Sequence, residues 1–198
     1  GMNDQNKFHF LLKFIHAKQD LSVQVHPDDA YIRDHGTDAW GKTALWYSVD
    51  AKPGAWNVWG LKTGITKEKF AQAIIDCLNQ VAVKPGEIYP ISAGLVHALG
   101  AGVGVVEIQQ NSDTTYRVYD WERLDSMGQP RELHVDKALD VIDFSAQALD
   151  PLYQLGRCEK HFVLNVLSKP DSFNVELEQG FQLITILNEQ AEISYNDQ

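Results

Sequence analysis

The sequence is poor in cysteine and has no long apolar run. Its 198 residues include only two cysteines, Cys77 and Cys158, which is too few for the disulfide framework of a small secreted protein. A reduced cytoplasm is therefore the expected setting. The apolar runs are only a few residues long, whereas a membrane-spanning helix needs about 20 apolar residues. We therefore expect no membrane partner.

Positive charge is scarce as well. The 17 lysines and arginines are outnumbered by 27 aspartates and glutamates, which gives a formal net charge of −10. A nucleic-acid-binding protein needs a basic face for phosphates, so we expect no nucleic-acid partner. Hydrophobic residues make up 44% of the chain, which is ordinary for a globular protein. The length suits one large domain or one and a half small ones.

The sequence is rich in short β-strand patterns separated by glycine and proline turns. Residues 21–26 alternate apolar and polar side chains, which predicts a strand with its valines on one face and Gln24 and His26 on the other. Many short strands of this kind favour a β-sandwich or barrel. The further predicted strands cover residues 45–49, 56–59, 81–83, 88–91, 103–109, 162–167, 173–177 and 181–187.

One segment has the residue spacing of an amphipathic helix. Apolar side chains recur at positions 70, 73, 74, 77 and 78, which form a single stripe on a helix. Thr66 is the predicted N-cap, and Cys77 is interpreted as a core residue because it falls on the stripe. A weaker pattern predicts a second, short helix over residues 136–142.

Two of the seven histidines stand in contexts that favour a binding site. His26 ends a predicted strand and shares a face with Gln24, whereas His97 lies in a glycine-bounded turn over residues 94–100. Histidines far apart in sequence can meet at the mouth of a β-barrel. There, two imidazoles and an amide oxygen can hold Zn, Fe, Ni or Cu. The alternative is that both histidines line a polar cavity without a metal.

A second polar region extends from Glu107 to Asp120. In a strand, alternation places Glu107, Gln109 and Asn111 on one face. That face could be an ordinary surface, or the floor of a site that holds an acid, amides and a fixed cation. Lys42 is another candidate cation, but its Gly-Lys-Thr segment lacks the frame of a phosphate-cradling loop.

Four segments, in order along the chain, resemble the motifs of the type I phosphomannose isomerases, also called mannose-6-phosphate isomerases. The likeness is strong over roughly residues 8 to 145 and looser beyond them. It implies a mainly β fold, a cupin-type jelly-roll β-barrel with a helical insertion and a partial second β unit. It also implies a cupin catalytic-type domain over residues 1–150, with a partial cupin-like β segment over 151–198 packed on it. The matching segments are residues 21–29, residues 41–43 with 46–47 and 50–52, residues 94–100, and residues 107–120 continued by 131–134.

The resemblance also implies a zinc ion. The implied protein ligands that are present in this chain are Gln24, His26 and His97. A glutamate ligand should follow Thr43, but the chain has Ala44 there, and alanine has no ligand atom. Three neutral ligands give up the Coulomb attraction of a carboxylate for a dication, so metal affinity is expected to fall unless water or another acid fills the place. Asp28 and Asp38 are the speculative replacements.

The implied reaction interconverts mannose 6-phosphate and fructose 6-phosphate through an enediolate, so the expected partner is a small-molecule sugar phosphate. Arg117 would stabilise the enediolate with its fixed guanidinium. Glu107 would carry the proton or orient Arg117, and Lys42 would support the substrate. The alternatives are a non-catalytic cupin that binds a sugar or sugar phosphate, and a metal-independent structural remnant. The chain is expected to be short at both ends, and a homodimer would cover the sheet edges left unpaired.

Overall fold

The structure is a computed structural model that describes residues 8–35, 39–145, 150–153, 155–158, 161–167 and 183–187. Its strands are β1 (Phe10–His16), β2 (Val23–Val25), β3 (Ala44–Ala51), β4 (Trp56–Leu61), β5 (Leu78–Ala82), β6 (Ile88–Ile91), β7 (His97–Ala98), β8 (Val103–Gln110), β9 (Tyr116–Tyr119), β10 (Leu155–Cys158) and β11 (Phe162–Asn165). Its helices are α1 (Asp29–Asp34), α2 (Lys67–Gln72), α3 (Ile74–Cys77) and α4 (Val135–Val141).

Two antiparallel sheets face each other. One has the strand order β1-β8-β3-β6, and the other has the order β5-β4-β7-β2-β9. Trp46 on β3 contacts His97 on β7, with ring centroids 5.4 Å apart, so the inner faces of the two sheets meet there. The helices α2 and α3 are inserted between β4 and β5. The predicted mainly β, cupin-type fold with a helical insertion is confirmed.

The five-stranded sheet has an apolar cluster on each face. Trp59 belongs to the inner cluster, which also contains residues of the facing sheet. Val23, Val25 and Val58 belong to the outer cluster, where Phe70 and residues of α4 cover the sheet. The predicted alternation along residues 23–25 is therefore confirmed. This alternation directs the Gln24 side chain toward the space between the sheets.

The segment predicted to be helical from the stripe at residues 70–78 is interrupted in the structure, although its predicted N-cap, Thr66, is confirmed. The Thr66 hydroxyl accepts a hydrogen bond from the Lys69 N–H at 3.3 Å, as an N-cap does. The backbone then leaves the helical region at Ala73, with φ −150° and ψ 70°, and Leu78 begins β5. The apolar stripe is real, because its buried members enter one cluster, but two helices and a strand share it.

Two strand assignments also differ from the prediction. β1 was not predicted, yet it pairs with β8 along its whole length; its near-continuous apolar sequence hides the period of two. Residues 183–187, predicted as part of a strand over 181–187, are exposed and have no regular structure. The strand predicted at 173–177 lies outside the described residues, and the division at residue 150 remains a prediction. Within the described ranges, no helix is long and apolar enough to cross a membrane.

Candidate functional site

The two candidate histidines and Gln24 meet between the sheets. Gln24 on β2 pairs in register with His97 on β7, and the Gln24 amide nitrogen lies 3.3 Å from Nε2 of His97. The ring centroids of His26 and His97 are 4.7 Å apart, and both residues are buried. The chain thus brings together three polar residues that are up to 73 positions apart. Their roles as ligands remain predictions.

A glycine turn joins the segments that carry the two histidines. The Gly94 N–H donates to the His26 carbonyl at 2.9 Å, which fixes the turn before His97 against the end of β2. Gly94 has a φ of +82°, and a Cβ there would lie 3.0 Å from the Val141 carbonyl oxygen. Glycine is favoured at this position because it adopts a positive φ without steric strain.

The hydrogen bonds of His97 define its tautomer. Nδ1 lies 2.9 Å from the Leu95 carbonyl oxygen; because a carbonyl only accepts, Nδ1 carries the proton and Nε2 accepts the Gln24 amide N–H. Burial lowers the pKa of His97 to about 4, although the bond to Leu95 opposes the shift. Burial also lowers the pKa of His26 well below its usual value, and the nearby His97 and Lys42 lower it further. Both imidazoles are therefore neutral at pH 7.

Lys42 adds a buried positive charge to this site. It is 7% exposed, and its backbone N–H donates to the Pro27 carbonyl at 2.9 Å, which ties it to the segment after His26. Burial lowers the pKa of its ammonium, while the Glu107 carboxylate raises it. No residue in the described part of the chain makes a hydrogen bond or salt bridge to the Lys42 ammonium.

Glu107 is placed by the facing sheet and is already paired. The Trp46 indole N–H donates to Glu107 Oε1 at 2.8 Å, and Lys13 Nζ lies 3.5 Å from Oε2. Lys13 Nζ also donates to Gln109 Oε1 at 2.6 Å. Sequence reasoning missed Lys13 because β1 was not predicted. The available signal was one lysine within an apolar segment, a position that often marks an inward-facing charge with a partner.

Arg117 lies opposite Gln24 in the register between β9 and β2. Its Nη1 donates to the Glu132 carbonyl oxygen at 2.8 Å, and its Nε is buried without a partner. Burial lowers the pKa of its guanidinium, and the charge of Arg131 lowers it further. The contacts found for Arg117 and for Glu107 involve different residues, so the structure supplies no contact through which Glu107 orients Arg117.

The donor set does not fit a tightly bound zinc ion. Ala44 is 1% exposed and belongs to the inner cluster with Trp46, where its methyl group offers no ligand atom. Asp28 does not replace it, because its carboxylate caps α1 by accepting the Tyr31 N–H at 2.7 Å, and Asp38 lies outside the described residues. Across the ranges that the structure describes, no group of three or more His, Cys, Asp or Glu side chains could hold a metal. Three neutral donors beside an ammonium are a poor match for a dication.

Known proteins resemble this chain over most of its length. A protein of Bacillus subtilis (strain 168), named probable mannose-6-phosphate isomerase GmuF, is 46% identical over 147 residues, which are 72% of this chain and 46% of that protein. Mannose-6-phosphate isomerase ManA of the same organism is 43% identical over 148 residues, 72% of this chain and 47% of that protein. No family model matches the chain.

Solved structures agree with the sequence relatives. The crystal structure of the mannose 6-phosphate isomerase from Bacillus subtilis superimposes with a TM-score of 0.69 at 37% identity, covering 78% of this chain and 50% of that chain. A phosphomannose isomerase variant from Salmonella typhimurium shares the fold alone, with a TM-score of 0.55 at 16% identity. The resemblance inferred from the four motifs is confirmed. The chain spans about half the length of the curated relatives it matches.

Proposed function

We propose that the matched part of the chain belongs to the mannose-6-phosphate isomerase family and that it interconverts mannose 6-phosphate and fructose 6-phosphate. The single observation that supports this most is the meeting of Gln24, His26 and His97 beside a buried lysine, between the sheets of a cupin-type fold. The relatives at 43–46% identity that are named as these isomerases supply the substrate class.

The proposed reaction moves a proton between C1 and C2 of the sugar. Its barrier is largely the cost of negative charge on an enediolate oxygen, which preorganised positive charge lowers. We assign that role to Lys42, a buried residue whose ammonium has no ion-pair partner among the described residues. We assign proton transfer to Glu107, whose carboxylate is fixed by the Trp46 indole N–H.

Arg117 is proposed as the second cation toward the sugar phosphate. Its strand is the direct neighbour of β2, in register at Gln24. The unpartnered Nε leaves a guanidinium donor for an anionic ligand. The zinc ion expected from the resemblance does not fit the donor set, so no step of this proposal runs through it.

Ala44 favours a second candidate function, the binding of a sugar or sugar phosphate without turnover. The site keeps its amide, imidazoles and lysine, but it has no carboxylate at position 44. A ligand can still be recognised by hydrogen bonds and charge, whereas catalysis would lack whatever that carboxylate contributes.

Location and assembly are proposed on separate grounds. A cytoplasmic setting is supported by the low cysteine count and by the free, buried thiol of Cys77. A homodimer is supported by β1, the outer strand of its sheet among the described residues, because an outer strand presents unpaired backbone groups to a partner.

The test is to incubate the purified chain with mannose 6-phosphate and to follow fructose 6-phosphate by NMR, with and without added zinc. We expect turnover to be lost in Lys42→Met and Glu107→Gln and kept in Lys18→Met, which removes an exposed lysine. Binding of mannose 6-phosphate without conversion would support the second candidate. Absence of both binding and conversion would contradict both proposals.

A further inference from the structure

Arg117 lies on an outer strand of the five-stranded sheet. Its strand, β9, pairs with β2 and ends the order β5-β4-β7-β2-β9 among the described residues. An outer strand has backbone N–H and C=O groups that point away from the sheet. Buried groups of this kind need hydrogen-bond partners that are not part of the strand ladder. The position of Arg117 therefore depends on what lies along the outer side of β9.

His134 supplies the partners on this side. The Arg117 N–H donates to His134 Nδ1 at 3.2 Å, and the His134 N–H donates to the Arg117 carbonyl oxygen at 2.7 Å. Because a backbone N–H only donates, Nδ1 is the accepting nitrogen and the ring proton lies on Nε2. Nε2 is 3.7 Å from Oε2 of Glu132. One residue thus pairs with both backbone groups of Arg117, one of them through its side chain.

The same short segment holds the other end of Arg117. Nη1 of its guanidinium donates to the Glu132 carbonyl oxygen at 2.8 Å, two residues before His134. Nε is buried without a partner, so a donor of the guanidinium remains for a ligand. Residues 132–134 therefore fix the backbone and the guanidinium of Arg117 together.

Helix α4 does not use the His134 imidazole. His134 is the N-cap residue of α4, but its side chain makes no capping hydrogen bond to the helix, unlike the usual N-cap side chain. The helix begins with the Ala138 N–H donating to the His134 carbonyl oxygen at 2.9 Å, a backbone bond that any residue at position 134 can make. The imidazole is partly buried, with 24% of the side chain exposed. Its hydrogen bond through Nδ1 serves Arg117.

A buried ionic cluster returns the chain to β9 at this point. Asp120 directly follows β9 and accepts a hydrogen bond from Arg131 Nε at 2.7 Å. Leu124 and Pro130 form an antiparallel bridge within the loop that these two residues close. The cluster therefore determines that residues 132–134 run beside Arg117.

We propose that His134 is a positioning residue for Arg117: its imidazole fixes the Arg117 backbone at the outer edge of the sheet and thereby places the guanidinium for the sugar phosphate. The inference rests on the proposed function for the identity of the ligand. It gives His134 neither a contact with the sugar nor a proton transfer. His134 acts only through Arg117.

The test measures the dissociation constant of the full chain for mannose 6-phosphate by calorimetry, together with KM and kcat. In His134→Leu we expect the dissociation constant and KM to rise at least about 10-fold, the loss that one displaced charge-assisted hydrogen bond causes. We expect kcat to change by less than about threefold, because this contact binds substrate and transition state alike.

A conservative variant and a matched control accompany this change. His134→Asn should stay within about threefold of the original affinity, because Asn Oδ1 can accept the Arg117 N–H in place of Nδ1. His16→Leu removes a histidine whose side chain is 52% exposed, and it should bind as the original chain does. If His134→Leu does not fold, His134→Gln replaces it, since the Gln amide lies one bond beyond the Nδ1 position.

A double-mutant cycle shows whether His134 acts through Arg117. In the Arg117→Met chain, His134→Leu should weaken binding by less than about twofold, because no guanidinium is left to displace. The same loss in both backgrounds would overturn the proposal, as would an unchanged affinity in His134→Leu. A His134→Asn chain as weak as His134→Leu would also overturn it.

Binding and conversion separate this inference from the isomerase. A cycle that holds for the dissociation constant, without conversion to fructose 6-phosphate, would support the role of His134 and refute the isomerase. Conversion with an additive cycle would do the reverse. Absence of mannose 6-phosphate binding by the original chain would overturn the role of His134.

Discussion

Two buried charges of opposite sign lie in different surroundings in this molecule. The Asp120 carboxylate, 6% exposed, accepts hydrogen bonds from Arg131 Nε at 2.7 Å and from a guanidinium nitrogen of Arg123. Lys42, at 7% exposure, has no such partner in the described part of the chain. The first charge is neutralised by the fold itself, so it stabilises the 117–134 region. The second has no such pairing, so it costs stability, and the proposed function assigns it to the sugar.

The largest expected effect is the pH dependence of stability in the surroundings of Lys42, where His97 lies. Burial lowers the pKa of His97 to about 4, below its unfolded value of about 6.5. As the pH falls from 6.5 to 4, the unfolded chain binds a proton that the folded chain does not, so stability is lost. The loss reaches about 3 kcal/mol for this group. Urea unfolding at several pH values measures it.

Two variants isolate the histidine contribution from that of the acids. His97→Gln should remove the His97 part of the decline in stability between pH 6.5 and 4 and leave the part that comes from His26, whose pKa is also lowered by burial. His16→Gln, at an exposed position, should keep the whole decline. Equal pH profiles for His97→Gln and the original chain would contradict a buried, neutral His97.

The second effect is loss of the paired charge. Asp120→Asn keeps the shape of the side chain but removes the acceptor charge for two guanidiniums, and it should lower the free energy of unfolding by about 2 kcal/mol at pH 7. Burial opposes ionisation of Asp120, but hydrogen bonds from Arg131 and Arg123 outweigh it and lower the carboxyl pKa. Its stabilisation is therefore present above the unfolded value of about 3.9 and is lost as the pH falls through the lower folded value.

The matched control is Asp34→Asn, which alters an exposed pair with Arg33 at 3.9 Å. It should change stability by less than about 0.5 kcal/mol. A similar cost for the exposed and the buried aspartate would show that the Asp120 cluster is not a structural pairing.

The third effect has the opposite sign. Lys42→Met removes a buried charge that lacks a partner and keeps a linear side chain, so in buffer free of phosphate and carboxylate it should raise the free energy of unfolding by about 1 kcal/mol. Lys18→Met serves as the exposed control and should be neutral. If Lys42→Met destabilises the chain without added anions, Lys42 is part of the fold and not of a ligand site.

The smallest effect concerns the attachment of residues 150–153. The Tyr153 hydroxyl donates to Glu87 Oε1 at 2.9 Å, although Tyr153 is 60% exposed. Tyr153→Phe should cost about 0.5–1 kcal/mol, because the Glu87 carboxylate keeps the Tyr89 hydroxyl and the Lys84 N–H. Tyr119→Phe is the control, since its ring contacts Trp121 and its hydroxyl has no hydrogen bond among the described residues. If Tyr153→Phe lowered the free energy of unfolding by more than about 2 kcal/mol, residues 150–153 would be held as strongly as the Asp120 cluster.

Local patterns predicted the parts of the site that depend on one strand. Alternation alone placed Gln24 on the inner face, and the glycine-bounded turn marked His97. The contribution of Lys13 required the pairing of β1 with β8, which is a long-range contact that a single segment does not encode. The break at Ala73 has a similar origin, because tertiary packing overrode a good helical stripe.

For the same reason, the sequence could not predict which charged side chains are paired and which are not. Asp120 and Arg131 are eleven positions apart, and Lys42 and Glu107 belong to separate segments, so nothing local says which acid meets which base. The absence of a glutamate at position 44 could be recognised only by comparison with the motif of the family. The structure added that no acid among the described residues compensates for it.

The most direct measurement of the central claim is a difference map from crystals of the chain soaked in mannose 6-phosphate. The account predicts density for the sugar between the sheets, with a sugar oxygen in hydrogen-bonding distance of Lys42 Nζ. Sugar density only on the outer surface of the protein, with none beside Lys42, would contradict it.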